Sequence, residues 1–215
     1  MDVFTTRAEF LDVNCYAVRA EGESDCILID AGYDAGPELA ELAAAEGLNP
    51  VAIFLTHGHP DHILGLPSLL GRWDVPVHLG EPDHYRVSAP GETLGPQFAQ
   101  MIAPLLEGWQ APAEVVPLNA GTVVTVAGLT VTAIPAPGHT EGSTLLSVSA
   151  DGEEVIFTGD VVFAGAIGRI DLPGGDAAAM ADTLRAFATL PDVPIYPGHG
   201  PASRVSHELR TNPFL

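Results

Sequence analysis

The sequence predicts an α/β fold, and two observations carry that expectation. The first half alternates short apolar runs with helical patterns. The second half is a series of short β-branched runs broken by Gly-containing turns and followed by an amphipathic helix. In order, Asn14 to Ala20 and Ile27 to Asp30 read as strands joined by the turn-forming Glu21-Gly22-Glu23-Ser24. Pro37 to Glu46 reads as a helix, with Pro at its start, Leu39 and Leu42 on one side and Gly47 after its end. Val51-Ala52-Ile53-Phe54-Leu55 is apolar, partly β-branched and bounded by polar residues, as a buried strand should be. Leu64 to Leu70 is expected as a short helix and Val75 to Leu79 as a strand.

Residues 81–112 are proline-rich and expected to form a partly helical excursion. The spacing of Phe98, Met101, Leu105 and Leu106 fits core packing there, with the wall of a substrate cleft as the other placement. His78 and His84, near this excursion, are expected at the surface or in loops. A second strand-rich half is expected from Val115, with strands at Val123 to Val126, Leu129 to Ile134, Thr144 to Val148 and Val155 to Thr158. Asp176 to Ala188 predicts a helix with Met180, Leu184 and Phe187 on one face and Asp176 as its N-cap. Pro194-Ile195-Tyr196 is expected as a last short strand before a brief helical tail, with residues 1–215 forming one domain.

Composition excludes some partners. The formal net charge is −20 and all eight basic residues are Arg, a surface that repels nucleic acid and anionic membranes alike. The 47% hydrophobic content argues against global disorder and for a substantial packed core, and the partner expected is a small-molecule substrate. The first twenty residues carry no apolar signal-peptide core, and no stretch reaches membrane-spanning length, so a cytoplasmic location is expected. In that setting Cys15 and Cys26 are expected as buried thiols.

The chemistry is concentrated in Thr56-His57-Gly58-His59-Pro60-Asp61-His62, directly after the strand at Val51 to Leu55. Side chains crowded onto a loop can converge on a point, whereas a regular strand sends alternate residues to opposite faces. Neutral imidazoles and carboxylates together suit Zn²⁺ or Fe²⁺. Pro137-Gly138-His139-Thr140, Thr158-Gly159-Asp160 and Pro197-Gly198-His199-Gly200 each place a further ligand-type residue beside Gly where a strand gives way to a loop.

His57-x-His59-x-Asp61-His62, with His139, Asp160 and His199 later in that order, resembles the signature of the metallo-β-lactamase superfamily. The resemblance implies a four-layer αβ/βα sandwich. It implies that His57, His59 and His139 hold one divalent metal, that Asp61, His62 and His199 hold a second, and that Asp160 bridges them. Zinc is the foremost candidate, with iron as the other. It further implies that Asp30 supports the metal loop from below, and that Asp61, His62 and Asp160 act in catalysis around a metal-bridging hydroxide. Without metal, Asp61 and Asp160 are expected to repel each other.

Two further stretches narrow the resemblance. Gly159 to Asp171, containing Gly168-Arg169-Ile170-Asp171, is similar to a segment of the glyoxalase II-like and persulfide-dioxygenase-like branches. Pro197-Gly198-His199-Gly200-Pro201 with Asn212-Pro213-Phe214-Leu215 looks like the short glyoxalase II-like hydrolases. The implied activity is hydrolysis of a small hydroxyacyl thioester. The alternatives are a mononuclear iron persulfide dioxygenase using His57, His139 and Asp160, or a lactone or β-lactam hydrolase. Glu141, where the branch has Pro, is expected to place an extra negative charge near the cleft. Residues 200–215 are too few for the helical domain with which glyoxalase II contacts glutathione, so another thiol carrier is favoured. Arg169 is the first candidate for a substrate contact and Arg204 the second; an ion pair with Asp171 is the equal alternative for Arg169.

Overall fold

The computed structural model describes residues 1–215, with the side chain at position 97 outside the described set. The first sheet comprises β1 (Asp2–Arg7), β2 (Asn14–Arg19), β3 (Asp25–Ile29), β4 (Asn49–Phe54), β5 (Val77–Gly80) and β6 (Val116–Leu118), in that spatial order. The β1–β2–β3 meander is antiparallel, and β3 to β6 run parallel. The second sheet begins with β7 (Val123–Val126), β8 (Leu129–Pro135), β9 (Thr144–Ala150) and β10 (Glu153–Gly159). It is completed, beyond a small β11 (Val162–Phe163) and β12 (Ala166–Ile167) hairpin, by β13 (Pro194–Pro197) and β14 (Ser203–Arg204).

Helices α1 (Ala35–Glu46), α2 (Pro60–Ile63) and α3 (Leu66–Leu70) belong to the first half, and α4 (His84–Ser88) and α5 (Pro96–Ile102) to the excursion. Helices α6 (Ala177–Phe187) and α7 (Val205–Thr211) belong to the second half. Three apolar layers result from this order, because strands buried on both faces alternate their side chains between them. Leu28, Ile53 and Leu55 face Leu39, Leu66 and Leu69 of the helices. Ile27, Ile29 and Phe54 face Val131, Leu146, Val148 and Phe157 across the gap between sheets. Ile156 and Ile195 face Met180 and Phe187 of α6. The result is the four-layer αβ/βα sandwich that the resemblance implied. Removing one buried ring such as Phe157 from the middle layer costs about 3–5 kcal/mol.

Local signals set the helix ends. Gly47, at φ 65°, takes the left-handed conformation that stops α1 and donates to Ala43. Asp176 caps α6 through Ala178 and Ala179 N–H at 2.7 and 2.9 Å.

Several elements differ from the sequence-based expectation. β1 is a further strand, at the edge of the first sheet and largely outside the core. Val116–Leu118 pairs with β5, so the second half starts at Val123 rather than Val115. The helix expected over Leu64 to Leu70 is α3, and a further short helix, α2, precedes it within the ligand loop. His78 is neither exposed nor in a loop: it is a buried strand residue with its ring stacked on Phe54 at 4.4 Å. Cys15 and Cys26 are both buried and free. Among the described residues, no helix is long and apolar enough to cross a membrane.

Candidate metal centre

Every candidate ligand lies just beyond the C-terminal end of a strand, at one edge of the sandwich. His57 to His62 come after β4, His139 after β8, Asp160 after β10 and His199 after β13. Loops at the carboxyl ends of parallel strands are where α/β sheets build sites. The structure draws these residues into two adjoining groups, His57–His59–His139 and Asp61–His62–Asp160–His199, with ligand atoms in each group within 4.8 Å of one another. Asp160 sits at the junction. Its Oδ2 lies 3.6 Å from His139 Nε2 and 3.5 Å from His199 Nε2, and its Oδ1 lies 3.3 Å from His62 Nε2. His199 Nε2 is 3.4 Å from Asp61 Oδ2.

Outer partners turn the imidazoles. Thr56 Oγ1 gives its one proton to Asp30, at 2.9 Å from Oδ2, and so accepts from His57 Nδ1 at 3.1 Å. His62 Nδ1 donates to Asp30 Oδ2 at 2.9 Å, His139 Nδ1 to the Arg169 carbonyl at 2.7 Å and His199 Nδ1 to the Leu11 carbonyl at 3.0 Å. These four rings therefore present Nε2 inward. His59 is turned the other way, with Nδ1 2.8 Å from His139 Nε2. Asp30 also accepts from Thr56 N–H at 2.8 Å, and it holds the left-handed conformation, φ 59°, that Asp tolerates.

Burial and neighbours give the two groups opposite protonation. Burial pushes His57 well below the ordinary histidine range, helped by the nearby His62 charge, and pushes His59 down to about 3. Burial opposes charge at His62 and His199 as well, but carboxylates outweigh it. Asp160, Asp30 and Asp61 raise His62 well above its usual value, and hydrogen bonds to Asp160 and Asp61 raise His199 to about 9. In turn these histidines hold Asp61 and Asp160 low against the burial that would raise them. The expected repulsion between Asp61 and Asp160 is present but outweighed, because the His62 and His199 rings lie between and beside them.

A polar atom buried without a partner costs about 1–3 kcal/mol, so clusters of them ask for a ligand. His57 Nε2, His62 Nε2 and Asp160 Oδ1, all facing the centre, are in that condition, and so is His59 Nε2 on the outer side of its ring. An imidazole-and-carboxylate set with unpartnered lone pairs fits divalent metal ions. The fit is tight in the backbone too. A Cβ on Gly198 would fall 2.4 Å from Asp160 Oδ1 and 2.5 Å from His62 Cε1, so any larger residue would displace the ligands.

A cavity of about 250 Å³ opens onto His59, Asp61, His139, Asp160 and His199. Its walls are apolar, built from Phe10, Leu11, Leu94, Phe98, Met101 and Phe163. Phe98 and Met101 are therefore cleft residues rather than core. Arg169 lines the same cavity and is also paired to Asp171 through Nε at 2.7 Å and Nη2 at 2.8 Å, so both of its expected roles coexist. Arg204 is paired with Asp192 at 3.3 Å and contributes nothing to this cavity. Glu141 is no bare charge, since Arg86 Nη2 meets it at 2.5 Å and Tyr85 hydroxyl at 3.2 Å.

Sequence reasoning missed the carboxylate that ties the ligand loops together. Asp83 is fully buried and accepts from Gly58 N–H, Thr140 hydroxyl and Gly142 N–H, each at 2.8 Å, and from Arg86 Nε at 3.1 Å. It joins the loop after β4 to the loop after β8. Nothing in its local sequence, inside the proline-rich excursion, marks it for that role.

The family model for the metallo-beta-lactamase superfamily matches residues 8–199, and the chain belongs to that superfamily. It is 30% identical over 200 residues to a hydroxyacylglutathione hydrolase, GloC, of Haemophilus influenzae, covering 91% of this chain and 89% of that one. Among solved structures it is similar to TTHA1623 in a di-iron-bound form, at 32% identity and a TM-score of 0.79, covering 99% and 100% of the two chains. It is also similar to the BLEG-1 B3 metallo-beta-lactamase, at 27% identity and a TM-score of 0.83, covering 100% and 99%. Fold, site and family together make the protein a metallo-hydrolase.

Proposed function

We propose that this protein hydrolyses a small thioester of the hydroxyacyl-thiol kind at a two-metal centre. The observation that carries the reading is the complete second group, Asp61, His62 and His199, beside the three-histidine group. A mononuclear oxygenase would need only His57, His139 and Asp160. The similarity to a hydroxyacylglutathione hydrolase supports thioester chemistry, and the similarity to a di-iron protein keeps iron beside zinc as the metal.

On this reading His57, His59 and His139 would hold one cation and Asp61, His62 and His199 the other, with Asp160 between the two groups as a ligand available to either. A pair of divalent cations supplies hydroxide near neutral pH and polarises the substrate carbonyl. The chain's own residues do the rest. Apolar walls from Leu94, Phe98 and Met101 exclude bulk water and seat the acyl group. Asp61, ionised and at the cavity floor, orients the attacking water and holds its proton. The C–S bond breaks, the acyl carbon takes the water oxygen, and the proton passes to the departing sulfur. Arg169, at the rim with its guanidinium braced by Asp171, meets a polar or anionic part of the substrate.

The test is a panel of thioesters on zinc-loaded and iron-loaded protein, with oxygen uptake measured in parallel on a persulfide. Thioester turnover without oxygen uptake is expected. Oxygen uptake by the iron-loaded protein with no thioester turnover would overturn the reading.

A further inference from the structure

His199 is a candidate ligand whose loop is held from the opposite sheet by the β1–β2 hairpin. It lies just after β13 of the second sheet, where Gly198 N–H donates to the Gly159 carbonyl of β10 at 2.9 Å, but several polar contacts to its loop come from β2 and the β1–β2 turn of the first. Asn14 N–H donates to the Gly198 carbonyl at 2.7 Å, and Asn14 Nδ2 donates to the carbonyls of Pro197 at 3.0 Å and Gly200 at 2.8 Å. Tyr16 hydroxyl donates to the Pro197 carbonyl at 2.6 Å. The carbonyls on both sides of His199 are thereby occupied, by side chains that are each 3% exposed. The ring itself is fixed by the Leu11 carbonyl.

That carbonyl is presented by an unusual backbone. Leu11 and Asp12 have φ of 61° and 54°, a left-handed conformation that a Leu side chain rarely adopts, and the turn is closed by Ala8 N–H to Val13 carbonyl at 2.9 Å. Backbone of this kind persists where surrounding structure over-determines it, and such positions gather at functional sites. The same turn points Phe10 and Leu11 into the cavity wall, with Leu11 54% exposed. The three-histidine group has other supports: Thr56 for His57 and the Arg169 carbonyl for His139.

We propose that Asn14, Tyr16 and the Leu11 carbonyl form a clasp that sets His199 as a ligand, so that the β1–β2 hairpin controls one half of the metal centre and not the other. Asn14 and Tyr16 are positioning residues, acting through the 197–200 loop. Because Leu11 is both cavity wall and His199 acceptor, a molecule filling the cavity changes metal affinity in this half through the clasp, and metal there changes its affinity reciprocally.

The test is a zinc titration of metal-free protein by calorimetry. Two classes of site are expected, and Asn14→Ala should weaken one at least tenfold while the other stays within twofold. Asn14→Asp keeps the size but sets a carboxylate against the carbonyls, and should weaken that class further. Tyr16→Phe, which removes a single O–H, should cost it about threefold and serves if Asn14→Ala does not fold. Equal loss in both classes, or loss in neither, overturns the clasp.

A second readout is independent of how many metals bind. Solvent exchange of the His199 Nδ1 proton in ¹⁵N-edited spectra should quicken at least tenfold in Asn14→Ala, while the His139 Nδ1 proton, held by the Arg169 carbonyl, is unchanged. A single zinc class in the unsubstituted protein would refute the two-metal reading rather than the clasp. In that case an unchanged His199 exchange rate in Asn14→Ala overturns the clasp.

Discussion

Two histidines in each half of the metal centre, all largely buried, shift in opposite directions. His57 and His59 have few carboxylates near them, so burial decides and both stay neutral, with lone pairs ready. His62 and His199 face Asp30, Asp61 and Asp160 between them, and those charges overcome burial, which is complete for His62 and partial for His199, and keep the rings protonated. Burial alone therefore does not set a ligand's protonation; the carboxylates within a few ångströms do. One half has its lone pairs free for a cation. The other is an ion-pair cage that a metal must open by displacing protons.

Asp160 belongs to both halves, so Asp160→Asn should erase the contrast between them most severely. It removes the charge that balances His62 and reaches His139. A loss of at least about 10³ in kcat/KM is expected, with metal lost from both groups. Activity within tenfold of the parent, measured on the same thioester, would show that the junction is dispensable.

Asp30→Ala separates the halves. It strands Thr56 N–H, Thr56 hydroxyl and the protonated His62, all buried, at a cost of about 3–5 kcal/mol in denaturant unfolding. Affinity in the Asp61–His62–His199 half should fall about 10–100-fold. The His57–His59–His139 half should lose less, since it feels Asp30 only through Thr56.

Changing the pH distinguishes the halves most gently. His59, with its folded pKa near 3, is already neutral from pH 8 to pH 5, so it adds no proton dependence to metal affinity there. His199, raised to about 9, and His62, raised well above its usual value, each bind a proton that metal must expel, so affinity in their group should drop steeply, by up to about a hundredfold per pH unit below 9. Stability of the metal-free protein obeys the same signs. The depressed His59 contributes stability that is present above the unfolded value of 6.5 and lost as pH falls toward 3. The raised His199 contributes stability that is complete below 6.5 and lost as pH rises through 9. Unfolding midpoints measured across that range should show both flanks.

Legibility in the sequence divides in the same way, between local and distant causes. The strand at Val51 to Leu55 and the ligand loop after it were legible because an apolar run and a cluster of donors are local signals. β1 was not, since Asp2-Val3-Phe4-Thr5-Thr6-Arg7 is a mostly exposed edge strand whose identity comes from pairing with β2. Val116–Leu118 resembles the start of the second half because its composition matches that of β7 and β8; only its pairing with β5 assigns it to the first sheet. His78 is buried by a ring stacked from a neighbouring strand, and Glu141 is neutralised by an Arg 55 residues away in the chain. Asp83 and Arg86 hold two loops from a proline-rich stretch that reads as irregular surface. Asn14 and Tyr16 did leave a trace, as polar groups in an otherwise buried apolar strand, but their partners lie more than 180 residues on.

If the two unlike halves each hold a metal, metal content per chain must reveal it. The measurement is made on protein purified without added metal or chelator, at pH 8 and again after dialysis at pH 5.5. Close to two ions per chain at pH 8, falling to one at pH 5.5, is the expected result. One ion or fewer at pH 8, or two ions lost together on acidification, would be incompatible with two halves of opposite protonation.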